Sequence, residues 1–130
     1  MSREAGDYVG QRPLKIVTRR ESGLPIVSIS GSCTMEQSMR IGETLVPLAT
    51  DPAVTALILD LRDLDFIESS GLGDVIDAYQ KCRKRGAELR LVGPTPSIMR
   101  VLEITRLDQL FRICDTVESA LFAQPAARTD

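Results

Sequence analysis

The chain has 130 residues, which is enough for one hydrophobic core and too few for two domains of ordinary size. Hydrophobic residues make up 43% and charged residues 26%, values typical of a globular chain and incompatible with full disorder. Acidic residues outnumber basic ones by 18 to 16, so the basic excess of a dedicated nucleic-acid binder is missing. Histidine is absent, which excludes every mechanism that needs an imidazole base or imidazole metal ligand.

The three cysteines, Cys33, Cys82 and Cys114, are far apart and form no C-x-x-C pair. They are interpreted as small apolar residues of a reducing compartment, rather than as a metal site, a redox pair or a catalytic thiol. Residues 1–7 are polar and lack the apolar core of a signal peptide, and the apolar run at 56–59 is too short to span a bilayer. The sequence predicts a cytoplasmic protein with no membrane insertion, no metal and no cofactor.

A single domain is predicted over residues 14–122, between a flexible N-terminal arm at 1–13 and a flexible tail at 123–130. Two strand-like stretches, residues 14–18 and 26–30, are separated by a turn that contains glycine and proline. This arrangement predicts an antiparallel pair of strands at the start of the domain.

The first helix is predicted to begin with a capping box between Thr34 and Gln37. Pro47 should end or kink that helix near its last turn, because proline cannot donate the backbone hydrogen bond. Helical spacing predicts a buried stripe made of Met35, Met39, Gly42, Val46 and Ala49.

The clearest strand is residues 54–60, whose apolar run is typical of a strand buried on both faces. A second helix follows Glu68 and ends in a basic turn before Gly86, a glycine suited to a left-handed cap. Its apolar face is predicted to comprise Leu72, Val75, Ile76, Tyr79 and Cys82.

The last third of the domain repeats this alternation of strand and helix. A short strand at 89–92 precedes a helix with Thr95 as N-cap and Pro96 at its first position. A short edge strand within 110–114 precedes a last helix, for which Asp115 and Glu118 offer a capping box. The order β-β-α-β-α-β-α-β-α predicts an α/β fold: a mixed, mainly parallel sheet of four to five strands packed with about four helices.

The strongest candidate for a functional site is the polar start of the second helix, where two hydroxyls, Ser69 and Ser70, precede Gly71 and Gly73. Backbone N–H groups at a helix start favour a negative charge, and the two glycines are expected to let another surface approach closely. The plain structural interpretation is that a serine here caps the helix. No phosphate-binding glycine motif is present. Composition and spacing leave both interpretations open.

The stretch from Leu57 to Leu121 resembles a STAS domain of the anti-sigma-factor antagonist type. In that family a central strand leads into the pattern Leu-x-x-Leu-x-Phe-x-Asp-Ser-Ser-Gly-Leu-Gly. The matching residues are Leu61, Leu64, Phe66, Ser69, Ser70, Gly71, Leu72 and Gly73, and downstream Gly86, Leu91, Val92, Ile98, Val101, Leu102, Leu107 and Phe111. The resemblance implies the STAS fold.

The resemblance also implies a bacterial partner switch. The unphosphorylated antagonist binds an anti-sigma factor that is also a serine kinase, and a sigma factor is thereby released. The kinase uses ATP and Mg²⁺ to phosphorylate the serine that maps to Ser69, and a serine phosphatase reverses the reaction. The implied partner-binding residues are Glu68, Ser70, Gly71, Leu72, Gly73, Gly31, Ser32 and Thr34.

Two positions depart from the family pattern. Glu68 stands where the family has Asp, and its longer side chain changes how Ser69 is presented to a kinase. Gly31-Ser32-Cys33-Thr34 replaces the family's Gly-Glu-Leu-Asp, so both acids are lost. These departures leave room for a STAS module that binds partners without phosphorylation.

Two other classes of function, a transporter accessory subunit and an enzyme, are alternatives to a signalling module. Small STAS proteins also serve as cytoplasmic accessory subunits of lipid ABC transporters, and the lost acidic loop is compatible with that role. An enzyme is not expected, because without histidine catalysis would need paired carboxylates or a thiol. The acids Asp63, Asp65 and Glu68 are explained more simply as a solvated loop.

Overall fold

The structure is a computed structural model, and it describes residues 12–124. Most of the predicted N-terminal arm and C-terminal tail, at 1–11 and 125–130, lies outside the described residues.

The fold opens with the predicted antiparallel hairpin, formed by β1 (Lys15–Glu21) and β2 (Leu24–Cys33). Its two turn residues, Ser22 and Gly23, have φ of 52° and 80°. Positive φ at both central residues is the type I′ geometry, whose twist matches that of the flanking strands. The residues that flank such a turn form a hydrogen-bonded pair, and such pairs then recur at every second residue.

The sheet contains six strands, one more than the upper limit that we predicted. The predicted central strand is β3 (Ala56–Asp60), and all five of its residues are buried. The additional strand is β4 (Leu64–Ile67), which pairs in parallel with the end of β2 beyond a bulge at Gly31.

Two further parallel strands, β5 (Glu88–Val92) and β6 (Arg112–Cys114), complete the sheet. The order is β1-β2-β3-β5-β6, with β4 paired to β2 off this path. Only β1 runs antiparallel to its neighbour, so the predicted mixed, mainly parallel sheet is confirmed.

Helices cover both faces of the sheet. On one face α1 (Ser38–Ala49), α2 (Ser69–Lys84) and α3 (Pro96–Ile104) enclose the main core. On the other face the short α4 (Val117–Leu121) packs over a smaller cluster. That cluster consists of Ile26, Ile58, Val92 and Ala120.

Of the stripe that we predicted to be buried on the first helix, Ala49 is buried and Gly42 and Val46 are half-buried, but the two methionines are exposed. The residues that α1 buries are Ser38, Ile41, Leu45 and Ala49, whereas Met35 and Met39 are 68% and 69% exposed. Residues 35–37 form a separate 3-10 turn, which has fewer residues per turn than an α-helix, so the helical phase does not continue back to Met35. Pro47 lies inside α1 and the helix ends two residues later, as expected.

Both predicted capping boxes are wrong, whereas the predicted start of α3 and the predicted C-terminal end of α2 are confirmed. The Thr34 side chain caps no backbone N–H. The box of α4 lies one residue beyond the predicted one, between Thr116 and Ser119. Thr95 accepts the Ile98 N–H as N-cap of α3, with proline next to it. Gly86 has φ of 81°, the expected left-handed conformation after α2.

The apolar face of α2 agrees with the prediction in part. Val75 and Cys82 are buried as expected, together with Gly71 and Ala78. Leu72, Ile76 and Tyr79 are partly buried against the same core.

Candidate functional site

The corner between β4 and α2 places Ser69 at the first residue of the helix. Glu68 occupies the N-cap position with an extended backbone, φ −73° and ψ 160°, and its side chain caps no N–H. The capping interpretation of Ser69 is therefore wrong. The Ser69 side chain is exposed and makes no hydrogen bond to another described residue, so no contact within residues 12–124 accounts for its hydroxyl.

The backbone on the N-terminal side of Ser69 is anchored to the end of β2. The Glu68 N–H donates to the Cys33 carbonyl oxygen at 2.9 Å, and the Glu68 carbonyl accepts the Leu72 N–H at 3.0 Å. One bond continues the pairing of β4 with β2 and the other begins the helix. The position of Ser69 is thus set by main-chain contacts that do not depend on the side chain at position 68.

The two glycines of α2 have different surroundings. A Cβ atom on Gly71 would lie 2.8 Å from the Cys33 Sγ and 3.0 Å from the Ile67 Cγ1. Gly71 is buried, so the absence of a side chain there brings α2 against β2 and opens no surface to a partner. A Cβ on Gly73 would meet nothing within 4 Å, and Gly73 is exposed. Only Gly73 fulfils the expected role of leaving room for another molecule.

Gly71→Ala and Gly73→Ala form a matched test of this difference. Gly71→Ala is expected to lower the free energy of unfolding by about 1–3 kcal/mol, because the added methyl overpacks the contact with Cys33. Gly73→Ala is expected to raise it by up to about 1 kcal/mol, because alanine is the better helix former. Urea unfolding of both variants measures the two values, and equal effects would contradict the packing described for Gly71.

Negative charge surrounds the start of α2. Burial, together with the Asp74 and Glu68 carboxylates, raises the pKa of the Cys33 thiol to about 11. Burial also raises the pKa of Asp74, although a hydrogen bond from the Gly42 backbone N–H opposes the shift. Asp65 is paired with Arg12, while Asp63 is exposed. Cys33 is therefore a protonated, buried thiol at neutral pH, with none of the thiolate character that a nucleophile needs.

Asp60, at the end of β3, belongs to a separate ion pair on the face of the sheet that also carries Ile58, opposite the face covered by α2. Burial alone would raise the pKa of Asp60, but two hydrogen bonds from the Arg62 guanidinium, at 2.9 and 2.7 Å, hold it below its usual value. Arg62 also lies against Gly93, where a Cβ would come within 2.6 Å of the Arg62 Cγ. This pair fixes the turn between β3 and β4, and so the approach to α2.

The remaining predicted residues, Gly31, Ser32 and Thr34, lie at the end of β2. Gly31 has φ of 86°, and a Cβ there would lie 1.9 Å from the Pro13 carbonyl oxygen. Ser32 is 1% exposed, and its hydroxyl has no hydrogen-bond partner in the described part of the chain. Gly31 and Ser32 thus lie beneath the surface, and only Thr34, which is half-buried, reaches it.

Sequence reasoning missed two exposed residues near this site, Met35 and Met39. The 3-10 turn that holds Met35 contacts α2, and Gly42, one turn after Met39, faces Asp74 of α2. Met39 therefore lies toward the side of α1 that faces the second turn of α2, and Met35 lies in the turn that contacts α2. The spacing of Ile41, Leu45 and Ala49 is the signal that could have identified the true buried face.

The described residues contain neither a membrane-spanning helix nor a metal site. Within 12–124 no helix is long and apolar enough to cross a bilayer. In the same range no three acidic or cysteine side chains are grouped so that they could hold a metal ion.

Comparison with known proteins identifies the family. The STAS domain family matches residues 15–120. The anti-sigma F factor antagonist of Paenibacillus polymyxa is 27% identical over 113 residues, which cover 83% of this chain and 92% of that protein. The anti-sigma-B factor antagonist of Bacillus subtilis is 30% identical over 87 residues, covering 67% and 78% of the two chains.

Solved structures agree with this assignment. An anti-sigma factor antagonist from Mycobacterium paratuberculosis superimposes with a TM-score of 0.74 at 26% identity, covering 85% of this chain and 93% of that one. The phosphorylated form of the Bacillus cell fate determinant SpoIIAA superimposes with a TM-score of 0.66 at 19% identity over 84% and 96%, which shows the shared fold. The chain belongs to the STAS domain family, among relatives that are named anti-sigma factor antagonists.

Proposed function

We propose that this protein is an anti-sigma-factor antagonist whose binding to an anti-sigma factor is controlled by phosphorylation of Ser69. The observation that carries the proposal is the Ser69 hydroxyl, which is exposed at the first residue of α2 and has no partner among the described residues. The names of the relatives support the general role. The proposed contact surface comprises Glu68, Ser70, Leu72, Gly73 and Thr34, with Gly31, Ser32 and Gly71 shaping it from beneath.

The position of Ser69 suits a reversible charge switch. A phosphate adds about 1.5 to 2 negative charges, which the N-terminal end of the α2 dipole accommodates without refolding. Across a closed interface the same charge must be desolvated beside Glu68 and Asp74, which is costly. Phosphorylation therefore ends partner binding while the domain stays folded.

Glu68, in place of the family's aspartate, is compatible with this switch. Its side chain caps no backbone N–H, while its main chain holds the corner through the Cys33 carbonyl oxygen. The extra methylene therefore changes the position of the carboxylate and leaves the Ser69 backbone where it is. A kinase that accepts this site has to tolerate a carboxylate about an ångström further from the backbone.

A phosphorylation assay tests the proposal directly. Wild-type protein, Ser69→Ala and the control Ser70→Ala are each incubated with ATP, Mg²⁺ and the serine kinases of the anti-sigma class from the source cell. We expect one phosphate per chain on Ser69 by mass spectrometry, none in Ser69→Ala, and phosphate still on Ser69 in Ser70→Ala. A kinase that binds the protein but phosphorylates Ser70 would contradict the assignment of Ser69. Binding with no phosphate on either serine would show a STAS module that works without phosphorylation.

A further inference from the structure

We propose that β1 is a self-association edge, through which two copies of this chain pair antiparallel in a single register to form a dimer. β1 is the end strand of the sheet within the part of the chain that the structure describes. Six of its seven residues are exposed, among them the apolar Val17 at 45%. The inference is independent of the proposed function, because neither Ser69 nor its surroundings take part in it.

The hairpin turn determines which backbone groups of β1 point outward. Glu21 and Leu24 flank the type I′ turn and form a hydrogen-bonded pair, so the alternate residues Arg19, Val17 and Lys15 also bond to β2. The residues between them direct their N–H and C=O groups away from β2. Arg20 agrees with this pattern, since its opposite residue, Pro25, has no N–H to donate. The free edge is therefore formed by Ile16, Thr18 and Arg20.

These three residues favour one register of self-pairing. A twofold axis at Thr18 pairs Thr18 with its copy and Ile16 with Arg20 of the second copy, so that all the outward groups are bonded. An axis at Val17 leaves Arg20 unpaired, and an axis at Arg19 leaves Ile16 unpaired. Backbone hydrogen bonding alone thus selects the axis at Thr18.

The side-chain charges of β1 select the same register. With the axis at Thr18, Lys15 lies opposite Glu21 of the second copy, and the symmetry makes this contact twice. An axis at Val17 would instead set Lys15 opposite Arg19, and an axis at Arg19 would set Arg19 opposite itself. Both of these pairings oppose like charges. The charged residues of β1 therefore disfavour the other registers of self-pairing and complement a second copy in this one.

The proposed dimer leaves the candidate site accessible. α2 packs on α1 and on β5, and β5 lies on the opposite side of β3 from β1. Pairing at β1 extends the sheet sideways and does not cover the start of α2. A dimer would thus present two copies of Ser69 to solvent.

Sedimentation equilibrium over about three decades of protein concentration tests the proposal. Wild-type protein is expected to dimerise, and Lys15→Glu is expected to weaken the dimer about tenfold or more, because it sets two pairs of like charges opposite each other. Combining Lys15→Glu with Glu21→Lys exchanges the charges and should restore the affinity to within about threefold of wild type. Arg20→Glu is the control, since it changes the charge equally but lies opposite Ile16.

Several outcomes would overturn the proposal. They are a monomer at every concentration, equal weakening by Lys15→Glu and Arg20→Glu, or failure of the exchanged pair to recover. A chain that dimerises only after residues 1–11 are removed would show that this segment occupies the edge instead. Glu21→Lys alone provides a second single variant if Lys15→Glu does not fold.

Discussion

Ser69→Asp is expected to weaken binding to the anti-sigma factor by at least about a hundredfold while the domain remains folded. A carboxylate at this position imitates part of the charge of a phosphate and would be buried against the partner without a compensating cation. Within the free protein the same substitution is harmless, because an acidic residue in the first turn of α2 interacts favourably with the helix dipole. The variant therefore separates loss of binding from loss of structure.

Ser97 provides the matched control for Ser69. It is an exposed serine at the second residue of α3, so Ser97→Asp makes the same chemical change at the start of another helix. Titration calorimetry against the anti-sigma factor should give wild-type affinity for Ser97→Asp, and thermal melts should show both variants as stable as the wild type. Equal affinity of Ser69→Asp and Ser97→Asp would contradict the proposed switch.

Arg90→Ala is expected to lower the free energy of unfolding by about 3 kcal/mol, and the unfolding midpoint by about 10 °C. Arg90 is a buried charge, only 5% exposed, under α4. Its Nη1 donates to the Ala120 carbonyl oxygen at 2.7 Å and its Nε to the Glu88 Oε1 at 3.0 Å. Truncation leaves the Ala120 carbonyl without this donor and opens space beneath a five-residue helix that cannot persist without tertiary contacts.

Arg112 is the control for this prediction, because it contacts the same acid from a more exposed position. Its Nη1 donates to the Glu88 Oε1 at 3.1 Å, and its side chain is 34% exposed. Arg112→Ala is expected to cost less than about 1 kcal/mol, the usual value for an exposed ion pair. If urea unfolding gave similar losses for Arg90→Ala and Arg112→Ala, the bond to Ala120 would not be what holds α4 in place.

Local signals were sufficient to predict much of the fold. The apolar run of β3, the Thr95–Pro96 start of α3 and the glycine after α2 each depend on a few neighbouring residues, and all are confirmed. The buried face of α1 was not predictable in this way. Methionine is hydrophobic whether it is buried or exposed, so its residue type did not reveal that Met39 lies outside the buried face of α1. Met35 falls outside the helical phase because it belongs to a 3-10 turn.

The parts of the site that depend on pairing between distant strands were not accessible from the sequence. β4 is four residues long and exists because it pairs with the end of β2, beyond a bulge that no local pattern marks. The same pairing buries Ser32 and places the Cys33 carbonyl where Glu68 can reach it. That long-range contact decides that Glu68 is the N-cap and that Ser69 is the first residue of α2.

The main-chain bond between Glu68 and Cys33 has a consequence for the timing of the proposed switch. Because the segment before Ser69 is tied to the sheet, the proposed switch requires no loop rearrangement at this corner. Its response time is then set by the modifying enzymes and by partner exchange, and the signal persists for as long as the phosphoester bond. The output of the proposed switch is therefore the ratio of phosphorylated to unphosphorylated protein. A past stimulus is recorded as phosphate on Ser69 and not as a change of conformation.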